Sequence, residues 1–89
     1  MALETFEDIG QMKQAADLVL DATGLDCPMP LLKARQALAS LAEGQYLYVI
    51  CTDPGSWRDF ESFAAHTAHQ LAGRRQEGDT WYYVLIKGC

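Results

Sequence analysis

Cys27 is the residue best placed to do chemistry in this chain. It sits in the stretch Gly24-Leu25-Asp26-Cys27-Pro28-Met29-Pro30, directly before an amphipathic pattern running from Leu31 to Ala42. Proline is favoured in the first turn of a helix, where its missing N–H costs nothing. Pro28 is therefore expected as the first helical residue and Cys27 as its cap. A helix start presents unpaired N–H groups and the positive end of the macrodipole. Pro28 and Pro30 have no N–H to give, so Met29 and Leu31 are the nearest donors to the sulfur. This field favours the thiolate, which is the nucleophilic form. Asp26 opposes it, because a neighbouring negative charge disfavours the thiolate. The expectation is a modest lowering of the thiol's pKa. A plainer reading stands beside this one, in which Cys27 is a small, inert residue that caps a helix.

Other residues support or compete with that site. Gly24 permits the turn before the cysteine. Asp53 and Pro54 follow a strand and fall at the same edge as Cys27, where they either border the site or cap the second helix. Lys33, one turn into the first helix, is read as a solvated surface lysine. Cys51 lies in an apolar run and reads as core. Cys89, at the end of the sequence, is a second thiol that could resolve a bond formed at Cys27 or stand idle. His66 and His69 have helical spacing and suggest a metal site, but their spacing is a weak signal and no metal is assigned.

The elements that must hold these residues follow from periodicity. Residues 1–15 give an arm whose one apolar edge is Phe6, Ile9 and Met12. Leu18-Val19-Leu20 is a first strand, and Glu43-Gly44 closes the helix that begins after Cys27. Tyr46 to Cys51 is a continuous β-prone run suited to an interior strand. Ser56 and Asp59 are spaced as a capping box for a second helix, which carries Trp57, Phe60, Phe63 and Ala64 on one face. Gln70 to Gln76 is a polar strand whose Arg74-Arg75 pair suits an edge. Glu77 to Thr80 is a hairpin turn, and Trp81 to Ile86 is the most apolar strand. The order is βαβαββ, with two helices able to cover one face of a four-stranded sheet. Both alternation sets of the last strand are apolar. One set, taken as Trp81, Tyr83 and Leu85, then lies on the uncovered face, as a docking surface or beneath the arm.

Composition narrows the function classes. The chain has 89 residues, a net charge of −5 and 49% hydrophobic residues, which bounds it to one domain over residues 16–89 behind the arm. The acidic balance argues against nucleic acid, which needs clustered Lys and Arg. No apolar run approaches the ~18 residues of a membrane span, and the acidic N-terminus lacks the pattern of a secretory signal. Three cysteines without Cys-x-x-Cys spacing fit a reducing, cytoplasmic setting with free thiols.

The motif and the element order resemble the TusA/SirA-like family of sulfur-carrier proteins. The matching residues are Gly24-Leu25-Asp26-Cys27-Pro28-Met29-Pro30, then Thr52-Asp53-Pro54, Asp59, Phe63 and the ending Tyr82 to Lys87. The resemblance implies a two-layer α/β (α+β) sandwich similar to the C-terminal domain of bacterial translation initiation factor three, with sheet order 1-2-4-3. It also implies sulfur transfer through a persulfide on Cys27, with Gly24, Asp26, Pro28, Pro30, Asp53 and Pro54 in support. The implied partners are a persulfide donor, either a cysteine desulfurase or a rhodanese-like protein, and a sulfur acceptor serving tRNA or cofactor thiolation or sulfur oxidation. No cofactor is needed, and the implied state is a monomer or weak dimer. Cys89 is outside the family pattern. The competing reading is a regulatory module that docks through the open sheet face.

Overall fold

The two most apolar runs of the chain pair with each other at the centre of the sheet. They are β2 (Tyr46–Cys51) and β4 (Thr80–Ile86), antiparallel, with Tyr48 opposite Val84 and Val49 opposite Tyr83. The computed structural model describes residues 13–88. Most of the expected arm, including Phe6, Ile9 and Met12, lies outside the described residues, as does Cys89; residues 13–15 are helical.

β1 (Leu18–Ala22) flanks β2 in parallel, and β3 (Gln70–Glu77) flanks β4 antiparallel, giving the order β1-β2-β4-β3. Helices α1 (Met29–Ala39) and α2 (Ser56–Ala65) complete a two-layer α+β fold. The polar strand with Arg74 and Arg75 is an edge, as expected, and Arg74 lies over the Trp57 ring at 3.9 Å. Its register shifts between Leu71 and Gly73, a bulge placed where glycine weakens the ladder.

The main core lies between sheet and helices. Ala34 and Leu38 of α1 and Phe60 and Phe63 of α2 pack on Leu47, Val49, Cys51, Trp81, Tyr83 and Leu85. Burying each of the larger side chains contributes about 1.5–3 kcal/mol. Trp81, Tyr83 and Leu85 thus face the helices, and the expectation that they line the uncovered face is corrected. Alternation separates the two apolar sets of β4 but does not say which one turns inward. The pairing with β2 decides it, because Val49 and Cys51 already belong to the helix side. The other set joins Tyr48, Ala72 and Val84 in a second cluster, flanked by Ala16, Tyr46, Ile50, Tyr82 and Ile86. Tyr48 is 2% exposed and Val84 0%, so the centre of this face is not an open aromatic surface.

Both helices begin differently from the sequence pattern, and α1 also ends earlier. α1 stops at Ala39 with Ser40 as its cap, before Gly44, whose φ of +91° belongs to the turn into β2. Lys87, just beyond β4, donates from Nζ to the Leu38 carbonyl at 2.7 Å, satisfying a helix-end acceptor from a distant part of the chain. Gly88 is held close: a side chain there would collide with the Ala68 carbonyl. α2 starts at Ser56, with Gly55 as N-cap and no side-chain capping bond, so the expected box of Ser56 and Asp59 does not form. Ser56 Oγ is buried against Tyr83 Oη at 2.6 Å, and Phe60 stacks on the same tyrosine ring at 4.5 Å. A buried hydroxyl needs such a partner, and the Tyr83 phenol offers it. Burial in turn pushes the Tyr83 pKa up strongly.

Candidate functional site

Neighbouring parallel strands deliver two loops to one edge of the sheet. The loop from β1 carries residues 23–28, and the loop from β2 carries residues 52–55. Gly24 has φ +80°, the left-handed region that favours glycine, and its N–H donates to Thr52 Oγ1 at 2.9 Å. That bond joins the two loops. Asp21 holds the first of them from below, accepting from Thr23 N at 3.0 Å and Thr23 Oγ1 at 2.7 Å.

Cys27 is exposed, one residue outside the helix. Pro28, reached through a cis peptide bond from Cys27, is the N-cap of α1, and Pro30 is buried in the first turn. The expectation of Cys27 as cap and Pro28 as first helical residue is therefore shifted by one position. The Met29 N–H donates to the Asp26 carbonyl at 2.8 Å, so it does not serve the sulfur. Asp26 is tied into the turn through this backbone bond and lies on the exposed side.

The sulfur's partner is Asp59, 32 residues along the chain. Cys27 Sγ donates to Asp59 Oδ2 at 3.0 Å. This bond stabilises the protonated form and raises the thiol pKa; partial desolvation and the negative charges of Asp59 and Asp53 push the same way. The expected lowering at a helix start is thus reversed. The Met29 donor at the helix start is already used, and a carboxylate stands where the anion would form. Asp53 brings a second carboxylate from the β2–α2 loop, and its Oδ2 is shut away from solvent with no hydrogen-bond partner among the described residues. Cys27 Sγ and one oxygen from each carboxylate lie within 4.8 Å of one another, and the thiol–carboxylate bond joins two of the three, Cys27 and Asp59.

A hollow of about 300 Å³ opens beside the sulfur, lined by Cys27, Pro54, Gly55, Trp57, Arg58 and Asp59. Pro54 and Asp53 therefore do border the sulfur, and Asp53 makes no side-chain cap for α2. Met29 and Leu32 of α1 are 40% and 43% exposed. Lys33 is exposed.

Other candidates fall away from this place. Cys51 is buried in the core, where burial raises its pKa. α2 ends at Ala65, so His66 and His69 do not share a helical face. His66 Nδ1 lies 2.8 Å from the Ser62 carbonyl, while His69 Nδ1 accepts from the Gly88 N–H at 3.0 Å and its ring stacks on Phe63.

Asp59 is the residue that the sequence pattern misassigned. Its spacing from Ser56 suggested a cap. The signal that could have found it was its place in the family pattern, where it matches together with Thr52-Asp53-Pro54.

Comparison with known proteins identifies the family. The profile of the family described as sulfurtransferase TusA matches residues 18–87. The sulfur carrier protein TusA of Allochromatium vinosum is 44% identical over 71 residues, covering 80% of this chain and 93% of that protein. That of Pseudomonas aeruginosa is 38% identical over 76 residues, covering 85% and 96%. In fold, the chain is similar to the crystal structure of a SirA-like protein from Desulfitobacterium hafniense, with a TM-score of 0.69 at 24% identity, over 81% of this chain and 99% of the other. A profile match across nearly all the described residues, with relatives matched over almost their full length, shows that the chain belongs to the sulfurtransferase TusA family.

Proposed function

We propose that this protein is a sulfur carrier that holds sulfur as a persulfide on Cys27. The thiolate of Cys27 attacks the outer sulfur of a donor protein's persulfide. A new S–S bond forms at Cys27 as the donor's S–S bond breaks, and the donor cysteine leaves as a thiolate that takes up a proton. The reverse substitution by an acceptor thiolate discharges the carrier. Both steps are exchange at sulfur and involve no net oxidation.

The observation that carries this reading is one exposed sulfur at the mouth of an open hollow, on a loop pinned to a neighbouring loop. Such a carrier must be reachable by two proteins in turn, and a rigid mount for one reactive atom serves that need. Gly24, Asp26, Pro28 and Pro30 shape the mount, and Asp53 and Pro54 border the sulfur. Met29 and Leu32 supply an apolar rim for docking. The donor is a protein that generates a cysteine persulfide, such as a cysteine desulfurase or a rhodanese-like protein. The acceptor is a protein thiol or an activated substrate in thiolation or sulfur oxidation.

Incubation with a small cationic persulfide such as cysteamine persulfide, followed by intact mass, tests this. Wild type gains one sulfur atom and Cys27→Ser gains none. Equal loading of Cys27→Ser overturns the assignment.

A further inference from the structure

The carboxylates beside Cys27 are unfavourable neighbours for a sulfur that must become an anion. Asp59 accepts the thiol's hydrogen bond, Asp53 stands within 4.8 Å, and the basic group lining the same hollow is Arg58. Asp53 Oδ2 is buried with no hydrogen-bond partner among the described residues, an arrangement that costs free energy unless a further group offsets it. We infer that Asp59 and Asp53 keep the empty carrier as a weakly nucleophilic thiol, and that a basic side chain of the sulfur-donor protein, seated against these carboxylates on docking, releases the thiolate. The inference rests on the carrier reading above and names the chemistry of the partner at that site.

The sequence of events balances. In the empty carrier the proton is on Cys27 Sγ, shared with Asp59 Oδ2. The donor's ammonium or guanidinium pairs with the Asp59 carboxylate, the hydrogen bond to sulfur is lost, and the thiol proton passes to water. The thiolate attacks the donor's outer sulfur, the donor S–S bond breaks, and the departing donor thiolate recovers a proton from water. Charge and electron count are unchanged overall. The device makes Cys27 slow toward stray electrophiles and fast only toward a partner of the right charge. Raising of the thiol pKa by Asp59 and Asp53 accords with it.

Charge selectivity toward small disulfides tests the inference without a protein partner. In a Cys89→Ser background, mixed-disulfide formation at Cys27 is followed by intact mass with cystamine (cationic), hydroxyethyl disulfide (neutral) and dithiodiglycolate (anionic) at low ionic strength. Cystamine is expected to react about tenfold faster than dithiodiglycolate, with the neutral reagent between them and the spread compressed by 0.5 M salt. Asp59→Asn is expected to shrink the ratio to roughly twofold and to raise the rate with the neutral reagent. Asp53→Asn, which leaves the thiol–carboxylate bond in place, narrows the ratio by a smaller factor and decides the matter if Asp59→Asn fails to fold. A ratio near one in wild type, a preference for the anionic reagent through Arg58, or a ratio unmoved by both substitutions overturns the inference. A protein that shows the selectivity yet takes no sulfur from cysteamine persulfide, a cationic donor that the gate admits, upholds the carboxylate gate and refutes the carrier reading.

Discussion

The backbone N–H of Gly24 donates to the hydroxyl of Thr52 at 2.9 Å, across 28 residues of sequence. Strands β1 and β2 are parallel neighbours, so their outgoing loops meet at the same edge, and this bond fixes one against the other. Cys27 lies on the first of these loops and Asp53 on the second. Replacing Thr52 by Val removes the acceptor while keeping the shape. The expected cost is about 1 kcal/mol, or a fall in melting temperature of roughly 4–8 °C for a domain of this size. Calorimetry measures the loss, and an unchanged melting temperature would show that the loops are held by other means.

The reactivity of Cys27 has a defined pH dependence. Its thiol is held above the usual cysteine range, chiefly by the hydrogen bond to Asp59. A thiol reacts in proportion to its thiolate fraction. Alkylation of wild type by iodoacetamide should therefore stay slow through neutral pH and rise only in the alkaline range. Asp59→Asn removes the negative charge, so the midpoint moves down and the rate at pH 7 rises, by about threefold to tenfold. Superimposable pH profiles for the two proteins would disprove the pairing.

Much of this fold was legible from residues alone. Tyr46 to Cys51 and Trp81 to Ile86 announce interior strands by unbroken apolar character, and Arg74-Arg75 announces an edge. Cys27 and Pro28 mark the start of α1 to within one residue. The facing of β4 was not legible, because Trp81, Tyr83 and Leu85 are as apolar as Tyr82, Val84 and Ile86, and only pairing with β2 separates them. The partner of the sulfur was hidden for a similar reason. Ser56 and Asp59 have capping spacing, yet tertiary contacts claim both: Ser56 goes to Tyr83 and Asp59 to Cys27. Local pattern cannot outbid a buried hydroxyl pair or a cross-chain hydrogen bond that it does not contain.

Acid should weaken the fold through His69. Its Nδ1 accepts from the Gly88 N–H, and burial, with Lys87 nearby, lowers its pKa below 6.5. The neutral ring is the form that folding favours, so its contribution is present above the unfolded value of 6.5. It is lost as pH falls through the lower, folded value. His69→Asn, which does not titrate, should flatten the decline in denaturation midpoint between about pH 7 and pH 5. An equal decline in both proteins would place that acid sensitivity elsewhere.

Docking should depend on the apolar rim while small-molecule chemistry does not. Met29 and Leu32 are exposed beside the motif and contribute little to the core. Truncating both to Ala should slow loading from a persulfide-bearing donor protein by about fivefold or more, the usual consequence of losing an interface anchor. Alkylation of Cys27 by iodoacetamide should stay within about twofold of wild type. Equal losses in both assays would point to a disturbed α1 rather than a lost contact.

The central claim is that the travelling sulfur resides on Cys27, and a single-turnover relay examines it most directly. Protein loaded with one isotopically labelled sulfur is freed of donor, mixed with an acceptor thiol, quenched over time and mapped by peptide mass. The account predicts label on the peptide containing Cys27 at the start, its first-order disappearance from that peptide and its matching appearance on the acceptor. Label residing on Cys51 or Cys89, or label on Cys27 that never leaves for the acceptor, would contradict it.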